Sequence, residues 1–289
     1  MGRFVYKEDK KSFNTAKRKY YHFLMFLYKK VFLCGDSLIR KDTIKRIKAL
    51  KNAFKENNYP EYVKAHPDTR LAVYTVLFGN YDNIKPVKFI SENCDYFIIT
   101  DQDVDENSGW KKLEYEFPES LKDADNAAKN RYLKMQPEVL FHDYEYSLYL
   151  DATMQPVCDL FPFLARMGEH FIGMFHHETR NCIYKEAEVV KRIGKAKPDE
   201  VDSLVSKYKK EGFPENFGLT AGGIILRRHN SPECKKIMDM WWDMYKNGPK
   251  RDQLSLMYCM WKCGYTINDF GDLGIEYGLE PRLDSEKHK

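Results

Sequence analysis

Three short stretches limit most strongly what this chain can fold into, because each is apolar without alternation and each runs into an acid or a tight polar loop. Leu71-Ala72-Val73-Tyr74-Thr75-Val76-Leu77-Phe78 leads into Gly79-Asn80-Tyr81-Asp82, Tyr96-Phe97-Ile98-Ile99-Thr100 into Asp101, and Tyr146-Ser147-Leu148-Tyr149-Leu150 into Asp151. A strand that is apolar on both faces must be covered on both faces. Phe171–Phe175 and Leu219–Leu226 read as two more strands. Ala127–Leu140, a segment through Trp241–Tyr245, and Asp252–Trp261 read as helices. Buried strands alternating with helices predict an α/β domain on a mainly parallel sheet. Ligands of such sheets gather beyond the carboxyl ends of the strands. Here those ends carry Asp82, Asp101, Asp151 and the pair His176-His177.

The rest of the chain has a different texture. Residues 1–70 carry 18 Lys and Arg against 7 Asp and Glu, although the whole chain has a net charge of only +4. Residues 12–56 contain no proline and one glycine, with Ile44, Ile47, Leu50 and Phe54 at helical spacing. Pro60 and Pro67 punctuate a connector. The predicted division is a basic helical extension over residues 1–68 and an α/β domain over residues 69–289. The extension has three readings: a helix docked on the acidic body, a peripheral membrane contact through residues 12–56, or a polyanion patch. The docked helix is preferred. No nucleic-acid motif accompanies the charge, so nucleic acid is not an expected partner.

Seven cysteines, none in paired CxxC spacing, argue against a disulfide framework and a zinc site. They point to a reducing cytosol. The apolar stretch Tyr20–Tyr28 is too short for a membrane span. The expectation is a cytoplasmic protein, peripheral at a membrane if the basic extension makes that contact.

The segment richest in chemistry is Asn130-Arg131-Tyr132-Leu133-Lys134 with the strand that ends at Asp151. Two cations, together with a carboxylate that holds a metal, can neutralise a multiply charged anion such as a diphosphate. The competing reading makes Arg131 and Lys134 a solvated helix face and Asp151 a strand-end cap. Thr220-Ala221-Gly222-Gly223 lets a ligand, or a packed helix, approach the backbone closely. Arg251-Asp252-Gln253 offers a cation, an acid and an amide together; Asp252 reads equally as the N-cap of the next helix. His176 and His177 could contact a metal or a diphosphate, or form an ordinary loop pair. Glu186 could serve an acceptor or simply favour a helix N-terminus.

Arg131 followed by Tyr149-Leu150-Asp151-Ala152-Thr153-Met154 resembles the helix and YLDxD segment of the family 8 glycosyltransferases. Five segments in order resemble, more closely, the glycosyltransferase-like family of the plant mucilage-type hexosyltransferases. They are Tyr74–Asp82, Lys129–Pro137 with Tyr146–Asp151, His177–Ala187, Ala221–His229 and Arg251–Ser255. The resemblance implies a GT-A-type, Rossmann-like fold and a hexosyltransferase. Its donor would be a nucleoside-diphosphate sugar, a uridine one, and its acceptor a saccharide or glycoconjugate hydroxyl. By resemblance Phe78, Gly79, Tyr81 and Asp101 line the nucleoside site, and Arg131 and Lys134 meet the diphosphate. His177, Arg180, Ala221 and Gly222 complete the donor site, Asp151 meets Mn²⁺ or Mg²⁺, and Asp252, Gln253 and Glu186 serve the transfer. One departure stands out. A full DxD motif would have a second carboxylate where this chain has Thr153, a poor ligand for a hard cation. That departure motivates the rival expectation of a module that binds a nucleotide sugar or glycan without turnover.

Overall fold

The computed structural model describes residues 66–274, 280 and 282–285. The predicted extension over residues 1–68 therefore lies almost wholly outside the described residues, as does the amphipathic segment 12–56. Among the described residues no helix is long and apolar enough to cross a membrane.

The three apolar stretches are strands at the centre of the molecule. β1 (Leu71–Leu77) is buried along its whole length. It pairs in parallel with β2 (Cys94–Thr100) and with β4 (Tyr146–Leu150), placing Leu71 opposite both Cys94 and Tyr146. A two-residue strand, β3 (Lys111–Lys112), extends this edge in parallel. On the other side β7 (Thr220–Arg227) runs antiparallel between β4 and β6 (Ile172–His176). β8 (Gly271–Gly274) closes the sheet parallel to β6. The order is β3-β2-β1-β4-β7-β6-β8. The predicted mainly parallel α/β sheet is thus present, with one antiparallel strand inside it. A separate ribbon pairs β5 (Met154–Pro156) with β9 (Leu283–Ser285).

Successive side chains of a strand face opposite ways, so each strand feeds two cores. Ala72, Tyr74 and Val76 of β1 join Phe97 and Ile99 on one face, whereas Leu71 and Val73 join Tyr96, Ile98 and Leu148 on the other. The first core is covered by α1 (Asn126–Met135), α4 (Ile183–Arg192), α5 (Pro198–Lys210), α6 (Pro232–Asn247) and α7 (Leu256–Lys262). The second is covered by α3 (Pro162–Met167). Local sequence sets where these helices start. The Asp125 carboxylate accepts the Ala128 amide at the head of α1, and Ser231 caps α6 with Pro232 at its first position.

Two predicted helices differ from the structure. Ala127–Leu140 is not continuous: α1 stops at Met135, Gln136 turns out of helical geometry, and α2 (Glu138–Phe141) follows Pro137. Proline has no N–H to continue the ladder and pushes the residue before it out of the helical region. Asp252–Trp261 is likewise divided, into a 3₁₀ turn over Asp252–Leu254 and then α7. Asp252 does not cap a helix, because its carboxylate is turned toward α1.

Candidate active site

The polar groups singled out in the sequence collect at the carboxyl edge of the sheet, in three neighbourhoods. The first follows β1. Gly79 adopts φ +66°, which favours glycine, and a side chain there would also displace the Asn126 amide 2.9 Å away. Its N–H donates to both carboxylate oxygens of Asp101, at 2.8 and 2.9 Å, tying the end of β1 to the end of β2. The Gln102 amide donates to the carbonyls of Gly79 (2.6 Å) and Asp82 (3.1 Å). Phe78 packs edge-on against Phe117, while Tyr81 is 62% exposed.

The second neighbourhood is a buried ionic triad. The Lys134 ammonium lies 2.5 Å from Asp252 Oδ2, and Arg131 Nε lies 3.1 Å from the same oxygen. Tyr149 and Trp241 present ring faces to the Lys134 ammonium at 5.4 and 5.5 Å. Burial pushes the Asp252 carboxyl up, but Lys134 and Arg131 outweigh it and hold the group well below the usual carboxylate range. Burial also pushes the Lys134 ammonium down, against the pull of Asp252. Asp252 in turn raises Arg131. Asp252 and Arg131 are therefore held ionised by the geometry of the triad.

Gly222 is the floor of this triad. A Cβ on it would stand 3.2 Å from the Lys134 ammonium nitrogen and about 4 Å from Gln253 and Asp252. The small residue is thus explained by close approach of charged side chains. Gln253 reaches across to donate to the Thr220 carbonyl at the start of β7. Ala221 is buried in β7 opposite Phe175. Asp151, half-buried at the end of β4, has its backbone fixed: its N–H donates to Gly223 O and its carbonyl accepts from Met154 N, both at 2.8 Å. Its charge is felt at Arg131 and Lys134.

The third neighbourhood follows β6. Arg180 Nε donates to the buried Glu186 carboxylate, and Arg180 Nη2 lies 3.1 Å from His177 Nε2. His177 Nδ1 lies 3.3 Å from the amides of Thr179 and Arg180. Burial and then Arg180 lower the His177 imidazole, which favours its neutral form.

A resident divalent cation fits this residue set poorly. Among the described residues no three His, Cys, Asp or Glu side chains form a group able to hold one. Thr153, where a second carboxylate would stand, is buried, and its carbonyl accepts from the Lys85 ammonium at 3.4 Å. Asp151 supplies one carboxylate, so an ion that takes six or more oxygens would need donor phosphates and water to complete its shell.

Two supporting residues escaped sequence reasoning. Arg227 is fully buried at the end of β7; its guanidinium donates to the Lys134 carbonyl (2.6 Å) and the Tyr74 hydroxyl (2.7 Å). Tyr74 donates to the Leu133 carbonyl at 3.1 Å. A cation at the carboxyl end of α1 satisfies the last carbonyls and suits the helix dipole. Together they fix the turn that carries Lys134. The signal was one arginine closing an otherwise apolar strand.

A mainly parallel sheet with charged groups converging on its carboxyl edge defines an α/β domain with its candidate ligand site at that edge. The sequence profile of the TOD1/MUCI70 glycosyltransferase-like domain matches residues 54–272, and the chain belongs to that family. No curated protein matches the chain. Among solved structures it is similar to the apo form of the bifunctional glycosyltransferase WbbM, at 13% identity and a TM-score of 0.44. The match covers 68% of this chain and 38% of that one. It is similar to the glycosyltransferase GlyE of Streptococcus pneumoniae TIGR4, at 13% identity and TM-score 0.37, over 69% of this chain and 45% of that one. It is also similar to the galactosyltransferase LgtC in complex with donor and acceptor sugar analogues, at 14% identity and TM-score 0.37, over 65% and 70%. The chain thus spans less than half the length of WbbM and of GlyE.

Proposed function

We propose that this domain transfers a hexose or hexuronic acid from a uridine-diphosphate sugar to a hydroxyl of a saccharide or glycoconjugate. The observation that carries the reading is the buried Lys134–Asp252–Arg131 triad closed over Gly222, at the sheet edge of a chain in a glycosyltransferase-like family. Phe78, Gly79 and Asp101 would hold the nucleoside, with Tyr81 offering an exposed ring face. Asp252 cannot act as a general acid, because its neighbours keep it ionised. Its charge is taken up by Lys134 and Arg131, so its role is to fix them and the turn that carries Gln253, whose amide would serve sugar hydroxyls. His177 and Glu186 would face the acceptor. No step is assigned to a metal.

The test is release of uridine diphosphate from a panel of uridine-diphosphate sugars, with and without saccharide acceptors. Release from at least one donor, faster with an acceptor, is expected. Absence of both binding and release across the panel would defeat the reading. One observation favours a second reading, a module that binds without turnover: Thr153 replaces a carboxylate, and Asp252 is 7% exposed and already paired. Nucleotide sugars that raise the melting temperature yet are never cleaved would select it.

A further inference from the structure

One cation of the site stands outside its ion pairs. Arg131, Lys134 and Arg180 each have a carboxylate partner in Asp252 or Glu186. Arg251 has none among the described residues: its Nε is buried without any hydrogen-bond acceptor. Nitrogens of Arg166, Arg227 and Arg282 are likewise unmet, but each of those guanidiniums donates through Nη1 to a carbonyl or carboxylate, whereas Arg251 makes no side-chain hydrogen bond among the described residues. The backbone of Arg251 is fixed, with its N–H donating to the Pro249 carbonyl at 2.6 Å and its carbonyl accepting the Leu254 amide at 3.1 Å. Its charge depresses both the His177 imidazole and the Asp252 carboxyl, so it stands between the two ionic neighbourhoods.

Lys134 is held in a buried ion pair, and breaking such pairs is strongly unfavourable, while Arg131 already commits its Nε to Asp252. An unpaired guanidinium carries no such penalty and presents the planar fork that matches phosphate oxygens. We propose that Arg251 is the residue that binds the diphosphate of the nucleotide donor, with Arg131 and Lys134 acting behind it as a support whose charge Asp252 partly offsets. This assignment rests on the nucleotide-sugar reading above. It moves the anion contact from the cations of α1 to the residue preceding Asp252.

The experiment is calorimetric binding of uridine diphosphate and of uridine to the full chain as wild type, Arg251→Gln and Arg251→Lys, with melting temperatures recorded without ligand. Loss of one charge-assisted contact is expected to weaken uridine diphosphate by about 10- to 100-fold in Arg251→Gln. Arg251→Lys should recover part of that loss, and uridine affinity should stay unchanged in both. Uridine diphosphate binding within twofold of wild type in a folded Arg251→Gln overturns the assignment and leaves the transferase reading standing. Should Arg251→Gln not fold, Arg251→Lys decides alone: weaker uridine diphosphate with unchanged uridine supports the assignment, and unchanged uridine diphosphate overturns it. A wild type that binds neither probe removes the nucleotide reading and this assignment with it.

Discussion

Lys134 and Asp252 stand 118 residues apart in sequence and 2.5 Å apart in space, and each side chain is at least nine-tenths buried. The pair joins the last turn of α1 to the 3₁₀ turn ahead of α7, so it couples two elements that carry site residues. Asp252→Asn leaves two cations facing an uncharged amide in a buried setting. Breaking such a pair costs about 3–5 kcal/mol. Urea denaturation should show that loss, and donor cleavage should fall with it. Lys134→Met should cost less, because Arg131 still balances Asp252.

Gly222 sets how closely that pair can approach β7. In Gly222→Ala the new methyl would crowd the Lys134 ammonium at 3.2 Å, and the flexible lysine tip can give way. Global stability should therefore change by less than about 1 kcal/mol. The displaced ammonium should still lower turnover by about tenfold or more, since small misplacements at a reacting centre are costly. Equal turnover in Gly222→Ala and wild type would show that the glycine serves packing alone.

Asp151 has no ion-pair partner among the described residues closer than the reach of its field, and its own backbone is held by Gly223 and Met154. Asp151→Asn keeps those backbone bonds and removes only charge. We expect an unchanged melting temperature together with loss of transfer, measured as uridine diphosphate release. A variant that turns over at the wild-type rate would take Asp151 out of the reaction.

The central strands were legible because apolar β-branched runs leave few alternatives to a doubly covered sheet, and β1, β2 and β4 lie within a residue or two of their expected bounds. β3, β5, β8 and β9 were not, since two to four residues carry no periodicity and neighbouring strands decide their pairing. α5 was also missed, although Pro198 at its start, Asp199 and Glu200 in its first turn and lysines in its last are ordinary helix signals. At the site, sequence spacing gave the residues but not their partners. Arg131 and Lys134 were expected to meet a ligand and Asp252 a sugar or a helix end. The structure pairs them with one another, a relationship that depends on how the fold brings α1 to the turn carrying Asp252. Arg251 was legible as a cation beside Asp252 and Arg227 as an arginine closing an apolar strand, but which of the two is paired depends on contacts distant in sequence.

The acid limb of stability should report on His229. It lies buried beside the end of β7, with Nε2 2.8 Å from the Phe141 carbonyl, and burial brings its imidazole down to about 4. In the unfolded chain the ordinary value is about 6.5. A group lowered on folding contributes stability that is complete above its unfolded value and is lost as pH falls toward its folded value. The window is therefore pH 6.5 to 4, and the loss amounts to about 3 kcal/mol. Asp252, also lowered, adds its own loss only below about pH 4, the unfolded carboxyl value. His177 shifts the same way, but it is partly exposed and contributes less. His229→Gln keeps an amide donor for the Phe141 carbonyl and removes the titration. Melting temperature should fall steeply from pH 6.5 to 4.5 in the wild type and more gently in the variant. Parallel curves for the two proteins would show that His229 is not the group whose protonation opposes folding.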